Sequence, residues 1–145
     1  METWFLTLDV GVGTFRPVKS KDIREHAMHS ERCCVSRECA DAINAAKAAN
    51  RRIIAVGTTV VRTLESFADD SGHLSHGTLE TNIFIKPGYS FKVPDALITN
   101  FHLPKSTLLM LVAAFAGYGT TMSAYREATA EGYRFFSFGD AMFIE

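Results

Sequence analysis

Hydrophobic and polar positions along this chain fall into two periods, one near 2 and one near 3.6, and they trade places repeatedly. Residues 4–10 combine aromatic and β-branched side chains, the pattern of a strand. They run into Gly11-Val12-Gly13-Thr14, whose glycines permit close backbone approach. Arg16-Pro17-Val18 reads as extended, because Pro17 disfavours helix at Arg16. Residues 19–32 are dense in charge and histidine and read as a short helix or loop, followed by a strand near 33–35. Ser36 is a good N-cap for an Ala-rich helix over 37–50, with Ala40, Ile43, Ala46 and Lys47 at helical spacing. Asn50 can close that helix in the left-handed conformation.

The short apolar run 52–56 predicts a fully buried strand. Gly57-Thr58-Thr59 then turns into a helix over 60–68, with Thr58 or Thr59 as a possible cap. Residues 69–77, rich in Asp, Ser, Gly and His, form a solvated loop. Residues 82–85 and 96–99 read as strands, with Pro87-Gly88 marking a turn between them. A helix over 106–116 breaks at Gly117-Tyr118-Gly119. A second helix, capped by Thr120 or Thr121, runs to about 131. Residues 133–138 read as a strand, Gly139-Asp140 as a turn, and 141–144 as a terminal strand. Strands alternating with helices imply a single α/β domain, a mixed, mostly parallel sheet flanked by helices. Helices 36–50 and 60–68 would act as crossovers, which are almost always right-handed.

Composition narrows this picture. The 145 residues suit one domain, and 47% apolar content with 11 Phe supports a real core. Fifteen Lys and Arg against 16 Asp and Glu neither demand nor exclude nucleic acid. No apolar stretch reaches the roughly 18 residues a membrane span needs. The start METWFLTLDV has no basic segment of a secretory signal, which fits a cytoplasmic chain. Cys33, Cys34 and Cys39 are odd in number and two are adjacent, so they read as reduced packing thiols. His29 could join them as a metal ligand, but the spacing is not that of an ordinary zinc site, and no metal is expected.

In a largely parallel sheet, ligands bind where polar loops leave the carboxyl ends of strands. Four such loops are Gly11–Thr14, Gly57–Thr59, Thr99–Leu103 and Gly139-Asp140. Gly57-Thr58-Thr59 places free amides at a helix start, where the dipole attracts a carboxylate or phosphate. His29 and Glu31, two apart on a strand, would share a face and could form an acid–base pair, or be two solvated side chains. His102 is either a proton-transfer group or a packing histidine. Arg62 and Glu65, spaced i, i+3, could pair on the helix surface.

The motifs VGVGTFRPV, MHSE, IAVGTT with VRTLES, FIKPGYSFKV, DALITNFHLPKSTLLMLVAAFAGY and YRFFSFGDAMFI occur in this order over residues 6–144. Together they resemble the S-adenosylmethionine:tRNA ribosyltransferase-isomerase family of queuosine biosynthesis. The resemblance implies transfer and isomerisation of the ribosyl part of S-adenosylmethionine onto an aminomethyl-deazaguanine base in tRNA. The product is epoxyqueuosine in tRNA, with adenine and methionine released. S-adenosylmethionine is then a co-substrate rather than a cofactor, and the partner is tRNA carrying the precursor base. Carried onto this chain, the resemblance makes His29, Glu31, His102 and Asp140 catalytic candidates. It makes Gly11, Gly13, Thr14, Thr58, Thr59, Asn100 and Phe101 candidates for holding S-adenosylmethionine, Phe101 and Tyr118 by offering rings to the sulfonium. Ser106–Thr107 is a second place for its methionine carboxylate. Arg16, Arg62 and Lys105 would meet tRNA phosphate.

Members of the family are considerably longer, so residues 1–145 would be a C-terminal α/β portion without the N-terminal part and its inserted β-barrel-like domain. Strands missing from the sheet would leave an open edge able to pair into dimers. Val60 stands where a serine commonly follows the threonine pair, and Cys33-Cys34 where aromatic or acidic residues are usual. An inactive fragment and a generic nucleotide-binding α/β module are the alternatives.

Overall fold

The computed structural model describes residues 1–11 and 28–145. Gly13, Thr14 and Arg16, with the extended segment at Pro17 and most of the charge-rich stretch, lie outside the described residues. Among the described residues six strands and four helices follow one another: β1 (Thr7–Asp9), β2 (Glu31–Val35), α1 (Arg37–Ala48), β3 (Ile54–Val56), α2 (Thr58–Phe67), β4 (Gly77–Thr81), β5 (Ala96–Asn100), α3 (Thr107–Ala116), α4 (Tyr118–Ala130) and β6 (Ala141–Ile144). The class is mixed α/β, but there are two small sheets, ordered β1-β2-β4 and β3-β5-β6. The expected mostly parallel arrangement does not hold. Among the described residues only β3 and β5 run parallel; β1–β2, β2–β4 and β5–β6 are antiparallel. α1 and α2 therefore pass between sheets instead of crossing over within one.

Local signals set several boundaries. Ser36 accepts the Cys39 N–H at 3.1 Å and Ser106 the Leu109 N–H at 3.1 Å, so both cap their helices. Asn50 ends α1 at φ 53°, where a short polar side chain tolerates the left-handed region. α2 starts at Thr58, with Gly57 as N-cap at φ 101° and no side-chain cap, so neither threonine caps it. α4 begins at Tyr118 directly after Gly117, ahead of the expected Thr120 or Thr121. The predicted strand 82–85 is a loop; the strand is β4, earlier in the chain, and Ile85 still buries its side chain. Residues 133–138 form no strand: 133–135 are irregular and 136–137 turn, with Phe136 at φ 62°, which no strand accommodates.

α2 is the centre of the molecule. It packs on β1 and β2 of one sheet, on β3 and β5 of the other, and on α3. Val61, Leu64 and Phe67 join Ala55, Leu97, Leu111, Cys33 and Cys39 in the main core. Burying each large aliphatic contributes about 1.5–3 kcal/mol, and burial pushes both core thiols up in pKa. β3 departs from the fully buried strand expected of it: Ala55 is buried, but Ile54 and Val56 are exposed. It is an edge strand, covered on one face only. Among the described residues no single helix is long and apolar enough to cross a membrane; α3 and α4 meet at a 115° bend.

Candidate functional site

The parallel pair builds a rim. Val56 lies opposite Ile98, and the Gly57 N–H donates to the Ile98 carbonyl at 2.8 Å, so β3 and β5 end side by side. β6 runs the other way, with Ala141 opposite Asn100, so its beginning lies against the end of β5. The Asn100 Nδ2 donates to the Asp140 carbonyl at 3.3 Å across that junction. Three of the four predicted loops, at Gly57–Thr59, Asn100–His102 and Gly139-Asp140, thus leave the sheet at one edge. The Gly139-Asp140 loop does so by entering a strand, not by leaving one.

His102 lies at the heart of this rim. Its Nε2 is 2.8 Å from Thr99 Oγ1, and its backbone N–H donates to the Tyr125 hydroxyl at 2.8 Å. Burial pulls its pKa down to about 4, so the imidazole is neutral at pH 7. The ring borders a cavity of about 90 Å³ lined also by Asn100, Leu103, Ser106, Phe136 and Ser137. Phe136, in the left-handed region, donates its N–H to the Phe101 carbonyl at 2.9 Å. A bulky residue in that conformation is strained, and such strain gathers at functional sites.

On the same edge of the sheet, α2 begins without a side-chain cap and without an acidic residue in its first turn. That leaves its positive end available to an anion. Thr58 is buried there, and Thr59 is half-buried. Asp140 holds Arg134 through the Arg134 N–H at 2.6 Å and Nε at 3.2 Å. The Arg134 bonds keep the Asp140 carboxyl below its ordinary range, so the rim carries a carboxylate at neutral pH. Lys105 is exposed, at φ 58°, at the turn into α3.

Several expected roles change with this geometry. Phe101 is buried, its ring packed within 5.4–5.6 Å of Tyr125, Phe135 and Tyr133, so it belongs to a second core and offers no face to a sulfonium. The Ser106 hydroxyl is engaged by its own helix cap. His29 and Glu31 do not share a face: His29 is exposed ahead of β2, and Glu31 points inward. Glu31 pairs with Arg62 and accepts the Gly11 N–H at 3.2 Å. The side chains of Arg62 and Glu31 are 3% and 1% exposed, which removes Arg62 from the surface where phosphate would be met. Nor does Arg62 pair with Glu65. α2 lies between two sheets, so both groups are inside, and Glu65 instead takes the Lys92 and Val93 N–H groups at 3.0 Å and the Tyr89 hydroxyl at 2.9 Å. Tyr125 and Arg134, which orient His102 and Asp140, have no role in the sequence reading, and Thr99 enters it only as the first residue of a candidate loop. The Thr99–His102 spacing was a visible signal; Tyr125 gave none.

An α/β domain with a strand-end rim, an uncapped helix start and a half-buried, neutral histidine is the framework of a small-ligand site. The chain belongs to the queuosine biosynthesis protein family, whose family model matches residues 1–144. It is 60% identical over 141 residues to the S-adenosylmethionine:tRNA ribosyltransferase-isomerase of Clostridium kluyveri, covering 97% of this chain and 41% of that protein. The enzyme of the same name from Ralstonia nicotianae is 61% identical over 140 residues, covering 97% of this chain and 39% of that protein. The crystal structure of the S-adenosylmethionine tRNA ribosyltransferase of Thermotoga maritima superposes with a TM-score of 0.71 at 50% identity, over 79% of this chain and 41% of that one. The chain spans about two fifths of the length of the curated relatives it matches.

Proposed function

We propose that this chain carries the S-adenosylmethionine-binding rim of a tRNA ribosyltransferase-isomerase acting in the cytoplasm. The reaction is that of the family: the ribosyl group passes, with isomerisation, from S-adenosylmethionine to the aminomethyl-deazaguanine base of tRNA, and adenine and methionine leave. The supporting observation is the gathering of the Gly57–Thr59, Asn100–His102 and Asp140 turns on one edge of β3-β5-β6.

In this reading the start of α2, with Thr58 and Thr59, takes the methionine carboxylate. The Asp140 carboxylate faces the sulfonium, a cation that favours an ionised neighbour. Asn100 orients a ribose hydroxyl or the adenine edge with the amide oxygen that its bond to Asp140 leaves available. His102 meets the departing base. Gly11, with Gly13 and Thr14 beside it in sequence, adds backbone to the donor site. His29, exposed near the ion pair, is the remaining group for proton transfer, and Arg16 and Lys105 supply tRNA phosphate contacts. Glu31 positions Gly11 and Arg62 from the interior.

A second reading, a binding portion without turnover, is favoured by the 41% share of the relatives' length. Calorimetry separates the two together with an adenine-release assay. S-adenosylmethionine is expected to bind this chain with a dissociation constant below about 1 mM, equivalent to roughly −4 kcal/mol, and ATP or NAD to bind more weakly. Heat without adenine release in the presence of precursor-bearing tRNA supports the second reading. No heat at millimolar S-adenosylmethionine overturns both.

A further inference from the structure

We infer that Thr99 is a positioning residue that locks His102 as the tautomer protonated on Nδ1, so that the ring offers a hydrogen-bond donor, not a base, to the cavity at the end of β5. The argument is an inventory of protons. Thr99 is 4% exposed, and its hydroxyl has one partner among the described residues, His102 Nε2 at 2.8 Å. A threonine hydroxyl has one proton to give and lone pairs to receive. If Nε2 carried the ring proton and donated, the Thr99 proton would be left buried without an acceptor. If Thr99 donates to a bare Nε2, its buried proton is used, and the ring proton sits instead on Nδ1, which is not among the buried unpartnered atoms, on a half-buried ring beside the cavity. An orphaned buried donor costs enough to set the populations at about tenfold or more.

The second arrangement fixes the chemistry of the ring. A neutral imidazole accepting on Nε2 must hold its proton on Nδ1, and Nδ1 has no partner among the described residues. The ring also lines the cavity shared with Asn100, Ser106 and Phe136. Nδ1–H is then the one ring nitrogen left for a ligand, and it fits an acceptor atom such as a purine ring nitrogen. The backbone bond to Tyr125 and the Thr99 contact hold the residue at two points, so the donor is aimed before any ligand arrives. No proton is transferred in this role. His102 stabilises charge growing on a departing base by hydrogen bonding, and the proton next to sulfur leaves to another group. The inference rests on the proposed function only for the identity of that ligand.

Nuclear magnetic resonance of this chain with nitrogen-15-labelled histidine reads the tautomer directly. In the wild type His102 is expected to show a protonated Nδ1 and a bare Nε2, in about tenfold or greater excess over the other form. Thr99→Val, which removes the hydroxyl and keeps the branched shape, is expected to release the ring to the Nε2–H form usual for a solvated imidazole. Thr99→Ser is expected to restore the wild-type pattern. A wild-type ring protonated on Nε2, or a tautomer that Thr99→Val leaves unchanged, overturns the inference. Should Thr99→Val fail to fold, the wild-type and Thr99→Ser spectra decide alone. Adding S-adenosylmethionine distinguishes the two levels: an Nδ1–H signal that does not respond to it leaves the tautomer lock standing and removes His102 from the donor site.

Discussion

Neutralising Glu31 tests whether this carboxylate holds the interior together or serves chemistry at the surface. Glu31→Gln keeps the side-chain volume and an oxygen for the Gly11 N–H, but it strips the charge facing Arg62. The Arg62 guanidinium is already poorly satisfied, since its Nε and Nη2 are buried with no hydrogen-bond partner among the described residues. With both side chains at most 3% exposed, solvent cannot take over. Removing one partner of such a pair leaves an uncompensated buried charge and costs about 3–5 kcal/mol. In a domain of this size that lowers the melting temperature by roughly 10–16 °C.

The companion variant Glu31→Leu/Arg62→Met removes both charges. Replacing a buried pair by apolar groups is often neutral or stabilising, and the loss among the described residues is the acceptor of the Gly11 N–H, about 0.5–1.5 kcal/mol. Urea unfolding followed by circular dichroism measures all three proteins. The reasoning predicts that the double variant recovers most of the stability lost in Glu31→Gln. It is refuted if Glu31→Gln loses less than about 1 kcal/mol, or if the double variant is as unstable as the single one.

Two further outcomes follow from the rim. Gly57 sits at φ 101°, ψ 145°, a region that essentially only glycine enters, so Gly57→Ala is expected to cost about 1–3 kcal/mol in chemical denaturation; an unchanged midpoint contradicts the strain. His102 has a folded pKa of about 4 against an ordinary 6.5. Its contribution to stability is therefore fully present above pH 6.5 and is lost as pH falls towards 4, because the unfolded chain binds the proton first. The stability difference between wild type and His102→Asn should shrink by roughly 3 kcal/mol from pH 7 to pH 4, at about 1.4 kcal/mol per pKa unit. A difference that does not change with pH contradicts a half-buried ring held neutral by its surroundings.

What the sequence disclosed about the fold tracks the range over which each feature is decided. Ser36, Ser106 and Asn50 are settled by their nearest neighbours, and all three act where their types predict. Strand direction is settled by partners far along the chain, and there the parallel reading gives way to three antiparallel pairings. Ile83, Phe84 and Ile85 looked like a strand because they are apolar, yet burying an apolar side chain does not require a ladder. Ile85 is buried from a loop, while the strand is Gly77–Thr81, whose Thr78 and Glu80 face outward and hid the alternation. Phe135 and Phe136 failed for a related reason. One packs against Phe101 and Tyr125, and the other is turned into the left-handed region by its bond to the Phe101 carbonyl.

The site was legible where chemistry sits at a strand end and illegible where it depends on what covers a helix. Asn100, His102, Thr58 and Asp140 could be placed on one rim because each follows or precedes a short strand, and pairing of those strands is enough to bring them together. Arg62 looked like a surface cation because it is one of only two charged residues in α2, three positions from the other. The residue order gave no warning of the outcome. TTVVRTLESF sets Thr59, Arg62, Thr63 and Ser66 along one face at helical spacing, the pattern of a surface helix, yet Arg62, Thr63 and Glu65 are buried, so the charges must find partners inside. Glu31 and the loop at 89–93 are those partners, reached across 31 residues in one direction and 24 to 28 in the other. The helix whose first turn is open to an anion is thereby anchored from two sides by buried charge, and the anchoring residues are ones that, taken singly, resemble ligands for a substrate.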